Sequence, residues 1–197
     1  MGDTTLPLAD HIASINLNRP DKANDMNLAM WREILQAFKW VDATPEARAA
    51  ILAGEVRLFT SGEDRSERVG IKEIDIGMTA DVGTLQRLPK LIGEGMAREL
   101  AYTVRKFDAT EALQMKLVNR VFGSPEALRA GVREIAASIC SKSPLSIRGV
   151  KEIITYARDH TVADGLNHVA TWNAAVLLSS DRQEAMMGNM GKPEFKD

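Results

Sequence analysis

The sequence contains a single cysteine, Cys140, among its 197 residues. One thiol cannot form an intrachain disulfide, and a reducing compartment is the expected location. The sequence also lacks any apolar run that approaches the roughly 18 residues of a membrane-spanning helix. The first ten residues are acidic and have no apolar signal core. We therefore expect a cytoplasmic protein that does not act in a membrane.

An excess of charge of one sign is missing as well. The chain has 25 lysines and arginines against 27 aspartates and glutamates, which gives a formal net charge of −2. Such a chain has no global basic field, so nucleic acid is not an expected partner. The three histidines show no metal-ligand spacing with one another or with the cysteine, and no metal site is expected. Hydrophobic residues make up 45%, as in a globular protein with one substantial core.

The N-terminal part of the chain mixes two periodicities. Residues 11–17 and 49–53 alternate or run apolar, as strands do, and residues 71–76 form a further strand-like run. Residues 27–42 follow helical spacing and carry one apolar stripe. That stripe consists of Leu28, Trp31, Leu35, Phe38 and Val41.

Helices dominate after Gly77. Residues 84–91 and 95–104 are candidate helices, and residues 118–122 are expected to form a strand or an extended connection. Three longer helices each have a start signal: Ser-Pro at residues 124–125, Ser-Pro at residues 143–144, and a capping-box pattern at residues 161–164. A weaker helix is expected over residues 181–190. This order predicts an α/β part followed by an all-helical C-terminal third.

Four blocks of sequence carry a resemblance to a known family. They are Asn-Arg-Pro-Asp-Lys-Ala-Asn-Asp-Met at residues 18–26, Leu-Phe-Thr-Ser-Gly at 58–62, the stretch 83–93, and the stretch 111–121. In this order they resemble the enoyl-CoA hydratase/isomerase (crotonase) superfamily and span most of the chain. The resemblance implies a crotonase-like ββα spiral over residues 1–122 and a helical oligomerisation region over residues 123–197.

The same resemblance implies the partners. The substrate would be an acyl-CoA thioester, and no cofactor would be needed beyond the coenzyme A that the substrate carries. The helical region packs against neighbouring subunits in the family, so a homotrimer or homohexamer is implied. The backbone of Lys22, Ala23 and Asn24 would contact the CoA moiety, and Lys22 could meet a phosphate.

Residues 71–83 resemble most closely the active-site segment of dienoyl-CoA isomerases. Moving a diene along a thioester requires a proton to leave one carbon and another to arrive further along, and two carboxyl groups of differing pKa can share this work. The resemblance implies that Asp81 abstracts a proton and Glu73 delivers one. Hydratases usually have glycine at the position of Asp81, so the aspartate favours isomerisation.

The first oxyanion loop of the family is matched by Ser61 and Gly62. The residue whose N–H should point into the oxyanion hole is Glu63, and a carboxylate there opposes a developing negative charge. Asp64 fits the usual pattern, and residues 61–64 therefore complete the candidate substrate-binding set.

The chain departs from the family between Gly62 and Ile71. The family has several tens of residues at this point, including the second oxyanion loop. This chain has only the short segment of residues 63–70. Either the real protein has residues that this sequence omits, or the chain carries a deletion. We favour omission, because excising core strands leaves sheet edges unpaired. Dienoyl-CoA isomerase is the first hypothesis; an enoyl-CoA hydratase and a non-catalytic oligomerising subunit are the alternatives.

Overall fold

The computed structural model describes residues 2–54, 59, 69–187 and 195. Its sheet is built around strand β3, Ile12–Leu17. Strands β1, Thr4–Thr5, and β2, Leu8–Ala9, pair antiparallel with the two ends of β3. Strand β4, Ala49–Gly54, runs parallel to β3, with Ile12 opposite Ala49 and Leu17 opposite Gly54. The strands expected over residues 11–17 and 49–53 are thus confirmed.

One face of the sheet packs against helix α5, Pro125–Cys140. Ile12 clusters there with Ala136 and Cys140 of that helix. Because side chains alternate along a strand, Ala13, Ile15 and Leu17 point to the other face, and each is at most 1% exposed. Helix α1, Leu28–Ala43, begins at the N-cap Asn27 and contacts β3.

Most of the apolar stripe of α1 is not on the face that α1 buries. Met30 and Ala37 are the buried residues of the helix, while Leu28 and Leu35 are 64% and 57% exposed. The other stripe residues are exposed too, except Val41, which is half-buried on the Met30 side. Spacing alone identified the helix but did not identify its buried face.

A second cluster forms around helices α2, Thr84–Ile92, α3, Glu94–Thr103, and α4, Ala109–Gln114. Leu100, Phe107 and Ala112 are its buried centre, and Ile71 packs against them. Val69 and Phe107 exchange two backbone hydrogen bonds of 3.0 Å as an isolated antiparallel bridge. These two hydrogen bonds therefore hold the segment that begins at residue 69 against the connection between α3 and α4.

The C-terminal third is helical, as expected. It consists of α5, Pro125–Cys140, α6, Pro144–Ala157, α7, Val162–Val176, and α8, Ser180–Met187. Ser124 and Ser143 cap α5 and α6, and Thr161 with Asp164 forms the full capping box of α7. No helix in the described ranges combines the length and apolar character needed to cross a membrane.

One local expectation was wrong. The run at residues 71–76 is not a strand; Glu73–Ile76 forms a 3-10 turn, because the backbone N–H groups of Asp75 and Gly77 donate to the carbonyls of Lys72 and Ile74. Of the two alternatives expected for residues 118–122, the structure shows the connection and not the strand. The two-residue strands β1 and β2 were not foreseen.

Candidate functional site

The segment that carries Glu73 and Asp81 is a short turn followed by a loop. Glu73 opens the 3-10 turn, and Gly77 ends it with a φ of +73°. A Cβ on Gly77 would meet nothing within 4 Å, so glycine is needed there for its backbone conformation rather than for space. Met78 N–H donates to the Glu73 carbonyl at 2.8 Å. These bonds reverse the chain between the two carboxylates.

The segment is anchored at both of its ends. Ile71, two residues before Glu73, packs on the cluster of Leu100 and Phe107. Ala80, directly before Asp81, is 7% exposed. Gly83 then takes a φ of +86° and begins α2. Fixed neighbours on both sides limit how far either carboxylate can move, which a proton-transfer site requires.

The two carboxylates differ in exposure and share one property. Glu73 is half-buried and Asp81 is exposed. Within the described part of the chain, neither side chain makes a hydrogen bond or an ion pair with another protein group. A carboxylate held in a structural ion pair is not available to exchange protons, so both groups are free for acid–base work.

The loop matched to the CoA-binding block has an unusual backbone. A 3-10 turn spans Pro20–Lys22, and Ala23 and Asn24 then adopt left-handed conformations with φ of 49° and 56°. Lys22 is exposed and Ala23 is half-buried, so both can meet a ligand. Asn24 is 0% exposed. The loop thus presents Lys22 and Ala23 outward and directs Asn24 inward, toward the protein.

The four other candidate binding residues, Ser61, Gly62, Glu63 and Asp64, lie outside the described residues. Phe59, two residues before Ser61, is described, and its carbonyl accepts a hydrogen bond from Asn24 Nδ2 at 3.1 Å. The structure therefore joins the candidate CoA loop to the chain directly before the candidate oxyanion loop. Spacing along the sequence does not indicate this contact, because Asn24 and Phe59 are 35 residues apart.

A groove of about 300 Å³ lies elsewhere on the molecule, between α6 and α7. Its lining includes Gly149, Ile153, Val169 and Trp172 and neither candidate carboxylate. The groove is mainly apolar and holds no titratable side chain. It offers no group for acid–base chemistry, so the free carboxylates of residues 71–83 remain the candidate active site.

Comparisons with known proteins show the family to which this chain belongs. The model of the enoyl-CoA hydratase/isomerase family matches residues 8–72 and 65–197. The chain is 30% identical to the mitochondrial Delta(3,5)-Delta(2,4)-dienoyl-CoA isomerase of Homo sapiens, over 94% of this chain and 78% of that protein. It is 45% identical to the peroxisomal enzyme of the same name from Arabidopsis thaliana, over 74% of this chain and 55% of that protein. The chain belongs to the enoyl-CoA hydratase/isomerase family of enzymes, and both relatives named above are dienoyl-CoA isomerases.

Solved structures show the same fold. The enoyl-CoA hydratase of Mycobacterium tuberculosis H37Rv superposes with a TM-score of 0.93 at 23% identity, covering 100% of this chain and 99% of that one. The crotonase-like α/β fold is thereby confirmed. The two dienoyl-CoA isomerases named above are mitochondrial and peroxisomal, so the expected cytoplasmic location is not confirmed.

The comparisons also locate the departure from the family. The alignment to the human isomerase runs over 256 positions, but 94% of 197 residues is about 185, so roughly 70 aligned positions of that protein have no counterpart here. The match to the family model has two parts, residues 8–72 and residues 65–197, which overlap at residues 65–72. The sequence is therefore shorter than its relatives at the point where the second oxyanion loop was expected.

Proposed function

We propose that this protein isomerises 3,5-dienoyl-CoA to 2,4-dienoyl-CoA, with Asp81 and Glu73 as its acid–base pair. The observation that carries the proposal is that both carboxylates lie on one anchored segment with no ion pair or hydrogen bond to the described residues, in a chain 30% identical to a dienoyl-CoA isomerase over 94% of its length. The half-buried position of Glu73 and the exposed position of Asp81 support different roles for the two groups.

The proposed reaction needs no redox partner. The Asp81 carboxylate takes a proton from C2 of the acyl chain, and the electron pair of that C–H bond spreads over the thioester carbonyl and the diene. Protonated Glu73 then gives its proton to C6, and the double bonds come to rest at C2 and C4. Asp81 ends protonated and Glu73 ionised, so a proton must return from Asp81 to Glu73 before the next turnover.

The thioester oxygen gains negative charge during this reaction. Backbone N–H donors stabilise such an oxyanion, and the loss of one donor slows acyl-transfer enzymes by about 100- to 1,000-fold. This chain is shorter than its relatives by roughly 70 aligned positions in the region expected to supply one of the two donors. A protein made of this sequence alone should therefore turn over at least about 100-fold more slowly than the human isomerase assayed beside it.

A direct assay tests the proposal. Purified protein is mixed with a 3,5-dienoyl-CoA, and the 2,4-dienoyl product is followed by its absorbance. Turnover that is lost in Asp81→Asn and in Glu73→Gln supports the proposal. Addition of water to a simple enoyl-CoA at a comparable rate would instead identify a hydratase.

A non-catalytic family member is the second candidate function, and the shortened sequence favours it. A chain without the second oxyanion segment can keep the helical C-terminal region and lose turnover. In that case the protein binds coenzyme A or assembles with copies of itself without isomerising the dienoyl thioester. Absent turnover together with measurable binding of coenzyme A would support this candidate.

A further inference from the structure

The loop of residues 19–25 closes around Arg19. The backbone N–H of Arg19 donates to Asn24 Oδ1 at 2.8 Å. Its carbonyl accepts from the N–H groups of Lys22 at 3.1 Å and of Asn24 at 3.0 Å. Its guanidinium reaches the far end of the loop, where Nη1 donates to the Asp25 carbonyl. Arg19 therefore holds the loop through both of its backbone groups and through its side chain.

The guanidinium of Arg19 is also anchored outside the loop. Its Nε lies 3.6 Å from Asp3 Oδ2, and the same oxygen accepts a hydrogen bond from Asn27 Nδ2 at 3.0 Å. The Arg19 side chain is only 18% exposed, so water competes weakly for these contacts. The guanidinium thus bridges Asp3, at the start of the sheet, and the Asp25 carbonyl, at the end of the loop.

This bridge depends on the shape of the guanidinium and not only on its charge. Arginine has five N–H donors in a planar fork, so Nε and Nη1 can serve two acceptors at once. A lysine ammonium is a single point and cannot span both. The Asp25 carboxylate lies 3.8 Å from Nη1 and is 63% exposed, and such an exposed ion pair contributes little. The carbonyl of Asp25 is therefore the contact that matters for the loop.

The contacts of Arg19 support a strained backbone. Ala23 and Asn24 have φ of 49° and 56°, a left-handed conformation that persists only where the surrounding structure enforces it. The side chain of Ala23 has no polar group that could stabilise this conformation, so the bonds on either side of it must do so. Lys22 and Ala23 are the residues that this conformation leaves accessible, and Lys22 is fully exposed to a ligand.

We infer that Arg19 is a positioning residue for coenzyme A. By holding the Asp25 carbonyl, its guanidinium fixes the loop in the shape that presents Lys22 and Ala23 to the CoA moiety. The inference rests on the proposed function and on the contact expected between this loop and coenzyme A. Arg19 acts through Lys22 and does not itself touch the ligand, so it affects affinity more than the proton transfers.

The variant Arg19→Lys keeps the positive charge and loses the fork. We expect it to weaken the Kd for free coenzyme A by about tenfold in isothermal titration calorimetry. Asp25→Asn is the matched control, because it removes the exposed carboxylate and keeps the carbonyl, and its Kd should stay within about twofold. Wild-type affinity in Arg19→Lys overturns the inference. If that variant binds normally and Arg19→Gln does not, charge is the cause, and the positioning role is again excluded.

A double-mutant cycle with Lys22→Ala distinguishes positioning from a general structural lesion. In the wild-type background, Lys22→Ala should weaken coenzyme A binding by about three- to fivefold. In the Arg19→Lys background, where Lys22 is already displaced, the same change should matter by less than about 1.5-fold. Equal effects of Lys22→Ala in the two backgrounds, or no effect in either, overturn the inference.

Binding of coenzyme A requires no turnover, so the inference and the isomerase proposal can fail separately. Wild-type protein that binds coenzyme A without isomerising a dienoyl thioester refutes the isomerase proposal, and the cycle still decides on Arg19. Wild-type protein that binds no coenzyme A overturns the inference. With an active protein, Arg19→Lys should raise KM about tenfold and change kcat by less than about twofold. A loss that falls on kcat instead would contradict the positioning role.

Discussion

The contact between α6 and α7 allows one substitution to be worked through in detail. Gly149 is buried in α6, and a Cβ added there would lie 2.3 Å from Trp172 Nε1 and 2.9 Å from Trp172 Cδ1. An ordinary van der Waals contact begins at 3.4 Å, so the indole ring would have to shift by about 1 Å. Gly149→Ala is therefore an overpacking substitution at a contact between two helices.

The expected loss is the balance of two terms. Alanine is preferred over glycine in a helix by about 1 kcal/mol. Forcing an extra methyl group into a packed contact costs about 1–3 kcal/mol, and a rigid indole gives way less easily than a flexible side chain. The net loss should be about 0–2 kcal/mol of unfolding free energy, toward the upper end because the indole is rigid, and it lowers Tm by up to about 8 °C in a chain of this size.

Gly165 provides the matched control. It is buried in α7, but its added Cβ would meet only Ala157 Cβ, at 3.6 Å. Gly165→Ala should therefore raise the unfolding free energy by about 0.5–1 kcal/mol. Thermal and urea unfolding followed by circular dichroism compare the two variants. Stabilisation by both substitutions would refute the packing of Trp172 on Gly149.

Two further predictions follow from single side chains. Cys140 is 7% exposed, and burial raises the pKa of its thiol. At pH 8 the native protein should therefore react with iodoacetamide at least about tenfold more slowly than the unfolded protein. Equal rates would contradict the burial of Cys140 against the sheet. At the start of α7, hydrogen bonds from the Thr161 hydroxyl and then from the Thr161 backbone N–H lower the pKa of Asp164. The ionised Asp164 therefore stabilises the folded protein above the ordinary Asp pKa of 3.8, and this stabilisation is lost as pH falls through the lower pKa of the folded state. Thr161→Ala should lower Tm at pH 7 and weaken the acid dependence between pH 4 and pH 2, as measured by scanning calorimetry; an unchanged acid dependence would exclude the capping box as its source.

The helix starts were predictable because their signals are local. Ser124, Ser143 and Thr161 each accept a hydrogen bond from a backbone N–H three residues later, and this interaction needs only the neighbouring residues. Strand β3 was also predictable, since its alternation reflects the two faces of one sheet.

Features that depend on distant neighbours were not predictable from the sequence. Strands β1 and β2 have two residues each and exist only through their pairing with β3. The run of three isoleucines at residues 71–76 alternates like a strand, but local backbone bonds fold it into a 3-10 turn. The stripe of α1 identified a helix, whereas the residues that the helix buries most fully are Met30 and Ala37, outside that stripe.

The candidate site likewise has residues that the sequence predicts and contacts that only the structure shows. Glu73, Asp81 and Lys22 were predicted from the resemblance, and the structure adds that the two carboxylates make no polar contact with the part of the chain that it describes. The inward direction of Asn24 and its bond to Phe59 required coordinates, because nothing in the spacing of the two residues indicates contact. The intact mass of the protein, 21.6 kDa for this sequence, would establish whether residues are missing from it.

The central claim is that Glu73 and Asp81 move protons on a dienoyl thioester. The most direct measurement is the exchange of the C2 proton of a 3,5-dienoyl-CoA for deuterium in heavy water, followed by mass spectrometry. The proposed mechanism predicts exchange and isomerisation with the wild-type protein, and a loss of both by at least about 100-fold in Asp81→Asn. Exchange that continues at the wild-type rate in Asp81→Asn would contradict the assignment of Asp81 as the base.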